Sequence, residues 1–482
     1  MRPRASRIPG IRDDNGFARN LTYSSRVSKW LDESYLVSRG QDLNWKRQYK
    51  LRHNWSRGSC DVSEIQVAER PPIPPLLVRL QEGIVFTVDS TAGLRAWSMK
   101  GEQKLLAGIR LRSTEEAHGG GGAPTSLAVE VQNHDGKSIE VAVGFADGHF
   151  GIYELQKQAH TFAHRYTHSP SSNGMISAIA HNFPYLLTMT EAQLLSLYCF
   201  SSKPDHRSSG DVLDPPRLLS SLQSHTVWPP LSLSLRASSE SITASIAYAL
   251  PTYLSGWSVG LQELRITLEG DVMESRLASA VDQGFHPLSS MSYSSTSPSS
   301  RINPSPTRRM EVEPLPSSTK PTSLTYSHPY LLASHPDNTL SLYLVTSTAE
   351  TLSIGGGSRL WGHTSSVSGA HVGDRGKAVS VSSRGDELRV WELEGGPSRR
   401  RLTAGEASVQ LRPEKRDRAG EQDVQNILRA GAEHGTGRGL ALEHNAAEVA
   451  VTRGWVGFDE EKVVVLREKG QGTQALVIYD FT

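Results

Sequence analysis

The chain has 482 residues, 37% of them apolar and 21% charged, enough for two or three domains or one large repeat array. Its 51 Lys and Arg against 50 Asp and Glu leave a net charge of +1, which argues against a dedicated nucleic-acid or membrane-surface binder. The two cysteines, Cys60 and Cys199, exclude a disulfide framework and a Cys-rich zinc site and point to a reducing compartment, cytoplasm or nucleus.

No apolar run reaches the ~18 residues of a spanning helix, and the opening MRPRASRIPG lacks the apolar core of a secretory signal. Residues 1–20 read as a disordered N-terminus. Over 21–52 the pattern becomes helical: Val27, Trp30, Leu31 and Tyr35 form an apolar stripe, and Gly40 interrupts it. Asp42 can cap a second helix whose buried side is Leu43, Trp45, Tyr49 and Leu51. That helix is basic and punctuated by tryptophan (Asn44-Trp45-Lys46-Arg47 through Asn54-Trp55-Ser56-Arg57) and stops at Gly58.

After Gly58 the texture is that of strands: short apolar runs separated by Gly, Asp, Asn and Ser. Units of three strands span 76–99, 127–155, 176–200, 231–266, 324–345, 367–394 and 455–481. Seven units predict a mainly β fold, a seven-bladed β-propeller over 59–482 with a short N-terminal helical segment. The last unit lacks a fourth strand, and Val62–Glu69, which has no unit of its own, can supply it and close the ring. Three insertions, near 115–123, 289–320 and 396–446, are polar, Gly-rich or Ser/Pro-rich and are expected to be disordered.

The sixth unit carries Gly362-His363 at its start and Leu388-Arg389-Val390-Trp391-Glu392 at the end of its third strand, and so resembles a WD repeat. In that family a His, a turn Asp and the Trp share a hydrogen-bond network. Gly385 stands where the Asp is expected, so an incomplete network is expected here. Asp147 before Tyr153 and Asp337 before Tyr343 keep the offset, but with Tyr in place of Trp. The segment from Arg26-Val27-Ser28-Lys29-Trp30 to Asn44-Trp45-Lys46-Arg47 is similar to the C-terminal half of an F-box, and a propeller follows it directly. The family's opening Leu-Pro motif has no match between Met1 and Asn20. This leaves a truncated F-box: either the chain starts late or adaptor binding is lost.

The resemblance to F-box/WD-repeat proteins implies a substrate-recognition subunit of an SCF-type ubiquitin ligase. A Skp-family adaptor, and through it a cullin, would bind the helices at Val27, Trp30, Leu31 and Trp45, and a protein substrate would bind the propeller. Arg384 resembles an Arg that reads phosphate in phosphodegron-binding members, and its planar guanidinium suits that task. The corresponding Ser90, Ala146 and Pro336 form no Arg cluster. Ser297 and Ser305, each followed by Pro, are candidate phosphorylation sites near Arg308 and Arg309. The basic runs Arg399–Arg401 and Lys415–Arg418 suit an import signal or a solvated loop. His160, His164 and His168 alternate with Phe162 and Tyr166 and predict one strand face rather than a metal site. No phosphate-cradling loop, nucleophile elbow or His-Glu-x-x-His motif occurs, so no enzyme, cofactor or metal is expected. A propeller scaffold unrelated to ubiquitination is the alternative reading. A propeller hydrolase would need acidic or metal-binding side chains in the channel.

Overall fold

In the computed structural model the described residues are 45–482, apart from residue 71, 101–104, 112–121, 132–137, 202–212, 225–226, 253–255, 281–318, 349, 374–375, 384, 386, 394–407, 414–453 and 469–472. Among the described residues one helix, α1 (Trp45–Arg57), precedes thirty strands arranged in seven sheets. Six of the sheets are antiparallel meanders, the remaining one is completed by strands from other parts of the chain, and the seven sheets are the blades of a propeller. Blade one, for example, is Leu77–Gln81, Ile84–Asp89, Gly93–Ser98 and Leu105–Ile109 in spatial order.

The second strand of each blade is covered on both faces by neighbouring blades and is therefore apolar almost throughout. Tyr185–Thr190 and Lys377–Ser382, buried nearly end to end, are instances. Packing follows the same logic. The apolar core divides into seven clusters, and each joins one blade to the next: Phe86 and Val88 with Val141 and Val143 for blades one and two, Leu332 and Leu340 with Val367 and Trp391 for five and six. The cluster of Val78, Val85 and Trp97 with Ile65, Val464 and Leu476 joins blade seven back to blade one, so the ring is closed.

Closure uses the strand expected for it. Strand β1 (Ser59–Ala68) pairs antiparallel with Gln474–Asp480, from Asp61 opposite Asp480 to Ala68 opposite Gln474. It is the outer strand of a blade whose inner strands are Val456–Phe458 and Lys462–Glu468.

Four expectations need correction. Every other blade has a fourth, outer strand that the apolar pattern does not mark, such as Thr161–His168, Arg217–Gln223 and Val272–Ser279; these edge strands are half exposed and polar. The segment 396–446 is not wholly unstructured. Ser408–Gln410 is the outer strand of blade six, and Arg412–Pro413 runs parallel to β1 at Ser59 and Cys60. Helix α1 does not bury Tyr49, which is 73% exposed. Its docked face carries Leu51 and Trp55, one turn apart, and Tyr49 lies on the other side. The histidine row does not share a face either. His160 precedes the strand at φ +53°, and an irregularity at Arg165 sets His164 opposite Tyr153 but Tyr166 opposite Ile152, which inverts the alternation. The rest of the insertions, from 115 to 121, 289 to 318, 396 to 407 and 414 to 446, lie outside the described residues, as do residues 1–44.

Candidate functional site: the helix junction and the turn-lined face

Helix α1 contains five Lys and Arg, one His and no acidic residue, so no helix-dipole pairing at its first turn holds it in place, and at 13 residues it is marginal on its own. Tertiary contacts do. The Trp55 indole stacks on Phe481 with ring centroids 4.0 Å apart, and its Nε1–H donates to the Glu460 carbonyl at 2.9 Å. Asn54 Nδ2 donates to the Phe481 carbonyl at 2.8 Å, and Lys377 of blade six lies over the Trp55 ring at 4.6 Å. Arg47 pairs with Glu461 at 2.6 Å on the exposed side. Leu51 and Trp55 join the cluster that packs blade six on blade seven.

The helix ends at Gly58, with φ +69°, where a side-chain carbon would meet the Gln410 carbonyl oxygen at 2.7 Å. Only glycine fits that conformation and that approach. The next residue begins β1. The helix is thereby joined to the ring through a single glycine and clamped on the blade that closes it.

At the opposite end of the blades lie the turns between second and third strands. In the first blade Asp89 accepts from the Thr91 and Ala92 amides at 2.7 and 2.6 Å and pairs with Arg95 at 2.8 Å. Burial pushes its carboxyl upward, but these hydrogen bonds and the Arg95 charge outweigh it and leave the pKa below the ordinary value. In the sixth blade a buried polar chain forms although the expected aspartate is missing, and its last link, from His363 to an acid, is an ion-pair contact rather than a hydrogen bond. Trp391 Nε1–H donates to Ser380 Oγ at 2.8 Å, and Ser380 Oγ meets His363 Nε2 at 2.6 Å. His363 Nδ1 lies 3.4 Å from Glu387 Oε2. Glu387 also accepts from the Thr364 amide at 2.8 Å and pairs with Arg389 at 2.9 Å. A glutamate two residues beyond Gly385 thus fills the role of the missing aspartate; its extra methylene spans the offset. Burial is the main force pushing His363 down to about 4, Glu387 opposing it and Arg389 adding to it. A neutral imidazole accepts at Nε2 from Ser380 and carries its proton at Nδ1, on the side facing Glu387, where no hydrogen bond is formed. Blade five has a shorter version, His335 Nε2 to Ser341 Oγ at 3.0 Å, and burial likewise holds His335 at about 4.

Few of the expected contact residues fall within the described structure. Val27, Trp30, Leu31, Arg384, Ser297 and Ser305 lie outside it, with Arg308, Arg309 and the basic runs at 399–401 and 415–418. Trp45 opens α1, but its side chain is outside the described set. Arg95 and Arg389, the other arginines near the mouth, are committed to Asp89 and Glu387 within their own blades. Sequence reading missed Trp55 and Asn54 as the docking residues of the helix. The signal was present in the Trp55–Gly58 spacing, which places an aromatic in the last turn before a stop.

Residues 60–482 match the family described as the F-box protein pof12 beta-propeller. The chain belongs to this family. No curated protein matches the sequence significantly. Among solved structures, the chain is similar to the WD40 beta-propeller domain of Doa1, at 11% identity and TM-score 0.37, covering 87% of this chain and 95% of that one. It is similar to a chain of the mitotic checkpoint complex, at 11% identity and TM-score 0.39, covering 87% and 93%. A third is the Cps50 (Swd1) propeller domain of Myceliophteria thermophila, at 9% identity and TM-score 0.40, covering 87% and 100%. The pof12-type match begins at Cys60, so its first residues are those of β1, and α1 lies just ahead of it. Among the described residues of this pof12-type propeller no group of three or more His, Cys, Asp or Glu side chains is arranged to hold a metal ion, and no helix is long and apolar enough to cross a membrane.

Proposed function

We propose that this pof12-type propeller is the substrate-recognition subunit of an SCF-type ubiquitin ligase, acting in the cytoplasm or nucleus. The helical segment 21–58 binds a Skp-family adaptor, with Val27, Trp30, Leu31 and Trp45 in that surface, and the propeller holds a protein substrate. The chain itself is non-catalytic. Its contribution is positional: a substrate held at fixed distance from a modifying enzyme reacts as though at high local concentration.

The observation that supports this most is the clamped helix. A recognition subunit must transmit position from adaptor to substrate, and a flexible linker would lose it. Here the helix is stacked, hydrogen-bonded and packed on the ring-closing blade and continues into β1 through Gly58 alone. A scaffold with no adaptor has no need of that rigidity.

Affinity purification of the tagged chain tests the reading. Recovery of a Skp-family adaptor and a cullin, lost in Trp45→Ala while the propeller keeps its melting temperature, is the expected result. Repeated recovery of other partners with neither adaptor nor cullin would leave a propeller scaffold instead. For the substrate face, Arg384→Ala is expected to weaken a phosphorylated substrate peptide about tenfold, the equivalent of one charge-assisted pair, and Arg384→Lys to recover part. Equal affinity for phosphorylated and unphosphorylated peptides, unchanged in Arg384→Ala, would remove that residue from the site.

A further inference from the structure

The net charge of +1 is unevenly distributed. Residues 1–57 carry 13 Lys and Arg against 5 Asp and Glu, and residues 58–482 carry 38 against 45. A basic head thus precedes an acidic propeller, and α1 is the described part of that head. One side of α1 is fully engaged with the ring. Leu51 and Trp55 are buried against blades six and seven, and Asn54 reaches the Phe481 carbonyl. Arg47 pairs with Glu461, and Lys50 donates to the main-chain oxygen of Thr482. At 3.6 residues per turn, Lys46, Tyr49, His53 and Arg57 fall on the side turned away from Leu51 and Trp55, with Arg52 on its flank.

That second side faces solvent. Lys46, Tyr49, Arg52 and Arg57 are exposed, and Tyr49, at 73%, is the most exposed Tyr, Trp or Phe among the described residues. One face of its ring meets His53, with centroids 6.2 Å apart and planes 27° from parallel, and most of the ring stays open. Among the described residues no ion pair or hydrogen bond engages the side chain of Lys46 or Arg57. The fold does not account for this placement. A cation suits the last turn, where Arg57 stands, but Lys46 stands in the first turn, where the positive end of the helix dipole opposes it.

We propose that this face of α1 binds single-stranded nucleic acid, with Lys46, Arg52 and Arg57 on the phosphates and a base stacked on Tyr49. From Lys46 to Arg57 the cations run about 16 Å at 1.5 Å per residue, which suits a row of phosphates better than a single anion. Tyr49 in their midst offers an open ring on which a base stacks, a feature that an acidic protein surface does not require. A base held inside a duplex cannot reach it, so the ligand is single-stranded. A membrane surface needs an apolar helix face turned to lipid, and that of α1 is turned to the ring. The acidic propeller repels the remainder of the strand and confines contact to the head. The site lies in the segment given above to the adaptor but needs no adaptor to hold its ligand.

Fluorescence anisotropy of the purified full chain with a labelled oligouridine of about 12 nucleotides tests this, with oligoglutamate as competitor. Binding is expected, with log K falling against log[salt] by about 0.7 for each phosphate neutralised. Lys46→Gln and Arg57→Gln should each make that slope shallower by about 0.7. Tyr49→Ala should weaken binding about tenfold with the slope unchanged, and Tyr49→Phe, which keeps the ring, should bind like the native chain. None of these variants should move the melting temperature, since the three side chains are exposed. No binding at about 50 mM salt, or binding that Lys46→Gln, Arg57→Gln and Tyr49→Ala all leave intact, would overturn the proposal. Displacement by oligoglutamate of equal length and concentration, with Tyr49→Ala neutral, would make the ligand an acidic protein surface and overturn it as well. A pull-down without adaptor or cullin bears on the ligase reading alone, because the titration contains neither.

Discussion

The sixth blade is braced from within and the seventh from without. In the sixth, Trp391, Ser380, His363 and Glu387 form a buried chain of polar contacts that links third strand, second strand and the entering loop. The seventh has an apolar interior of Val463, Val465 and Val477, and its order comes from β1 and from the indole of Trp55 laid on Phe481. Both are built on a three-stranded antiparallel meander with an added outer strand, which the following chain supplies in the sixth and β1 supplies in the seventh. A blade therefore does not need the polar chain; it needs some device that fixes its strands to each other, and the two devices have different sensitivities. A buried polar chain depends on protonation and on each donor finding its acceptor. A strand and helix delivered from the far end of the chain depend on shape and on continuity.

The largest expected effect separates these. Deleting Ser59–Ala68 removes the outer strand of blade seven and takes Ile65 and Val67 out of the apolar cluster that joins it to blade one. No closed ring should form, seen as loss of a cooperative melt and of a compact elution volume; a cooperative propeller without β1 would show that the ring does not depend on this pairing. Next in size, Trp55→Ala should cost about 3–5 kcal/mol in chemical denaturation, the range for a buried aromatic truncated to Ala. If it costs under about 1 kcal/mol, the helix is an ornament on the blade.

The polar brace is tested by pH. His363 and His335 are held down to about 4, against about 6.5 in an unfolded chain. Between those values the unfolded state binds protons that the native state does not. Stability is therefore full above about pH 6.5 and falls as pH drops toward 4, by on the order of 2 kcal/mol for each histidine by pH 5. Glu387, below its ordinary value, adds a loss only at lower pH, as its carboxylate is protonated. His363→Gln should flatten part of the slope between pH 7.5 and 5. The cost of Trp55→Ala should be the same at both pH values, and a pH-dependent cost would mean that the two braces are coupled. The smallest effect belongs to Arg47→Ala. Its pair with Glu461 has the Arg side chain 58% exposed, and its loss should change stability by less than about 1 kcal/mol.

The seven-fold order was legible because the inner strands are buried on both faces and must be apolar. Val85, Val141, Leu187 and Val379 announce themselves as runs bounded by turn residues. The outer strands were not, because an edge strand facing water keeps polar residues and reads as a loop; Ser408–Gln410 lay inside a segment expected to be unstructured. The closing role of β1 was legible from topology alone, since one strand was spare and one blade was short. The glutamate at 387 was hidden because a fixed spacing from Trp391 was expected, whereas a longer side chain reaches the same imidazole from a different position. Helix α1 was legible as a helix, but its docked face was misjudged by the choice of Tyr49 over Trp55. Two aromatics six residues apart cannot share one face of a helix, and only the partner surface decides which one is buried.

The pairing of β1 with Gln474–Asp480 also sets an order of events during synthesis. Strand β1 is made among the first of the propeller and its partner is made last. At about 5–20 residues per second, it waits on the order of a minute with one edge open. Blades one to six can stack as they emerge, each on the one before. The seventh cannot, and until it does the Trp55 indole has no Phe481 to lie on. Helix α1 thus takes up its seat only when translation has passed the final strand. A partner that recognises the seated helix would engage finished rings and pass over nascent or broken ones, a built-in check on which molecules enter an assembly.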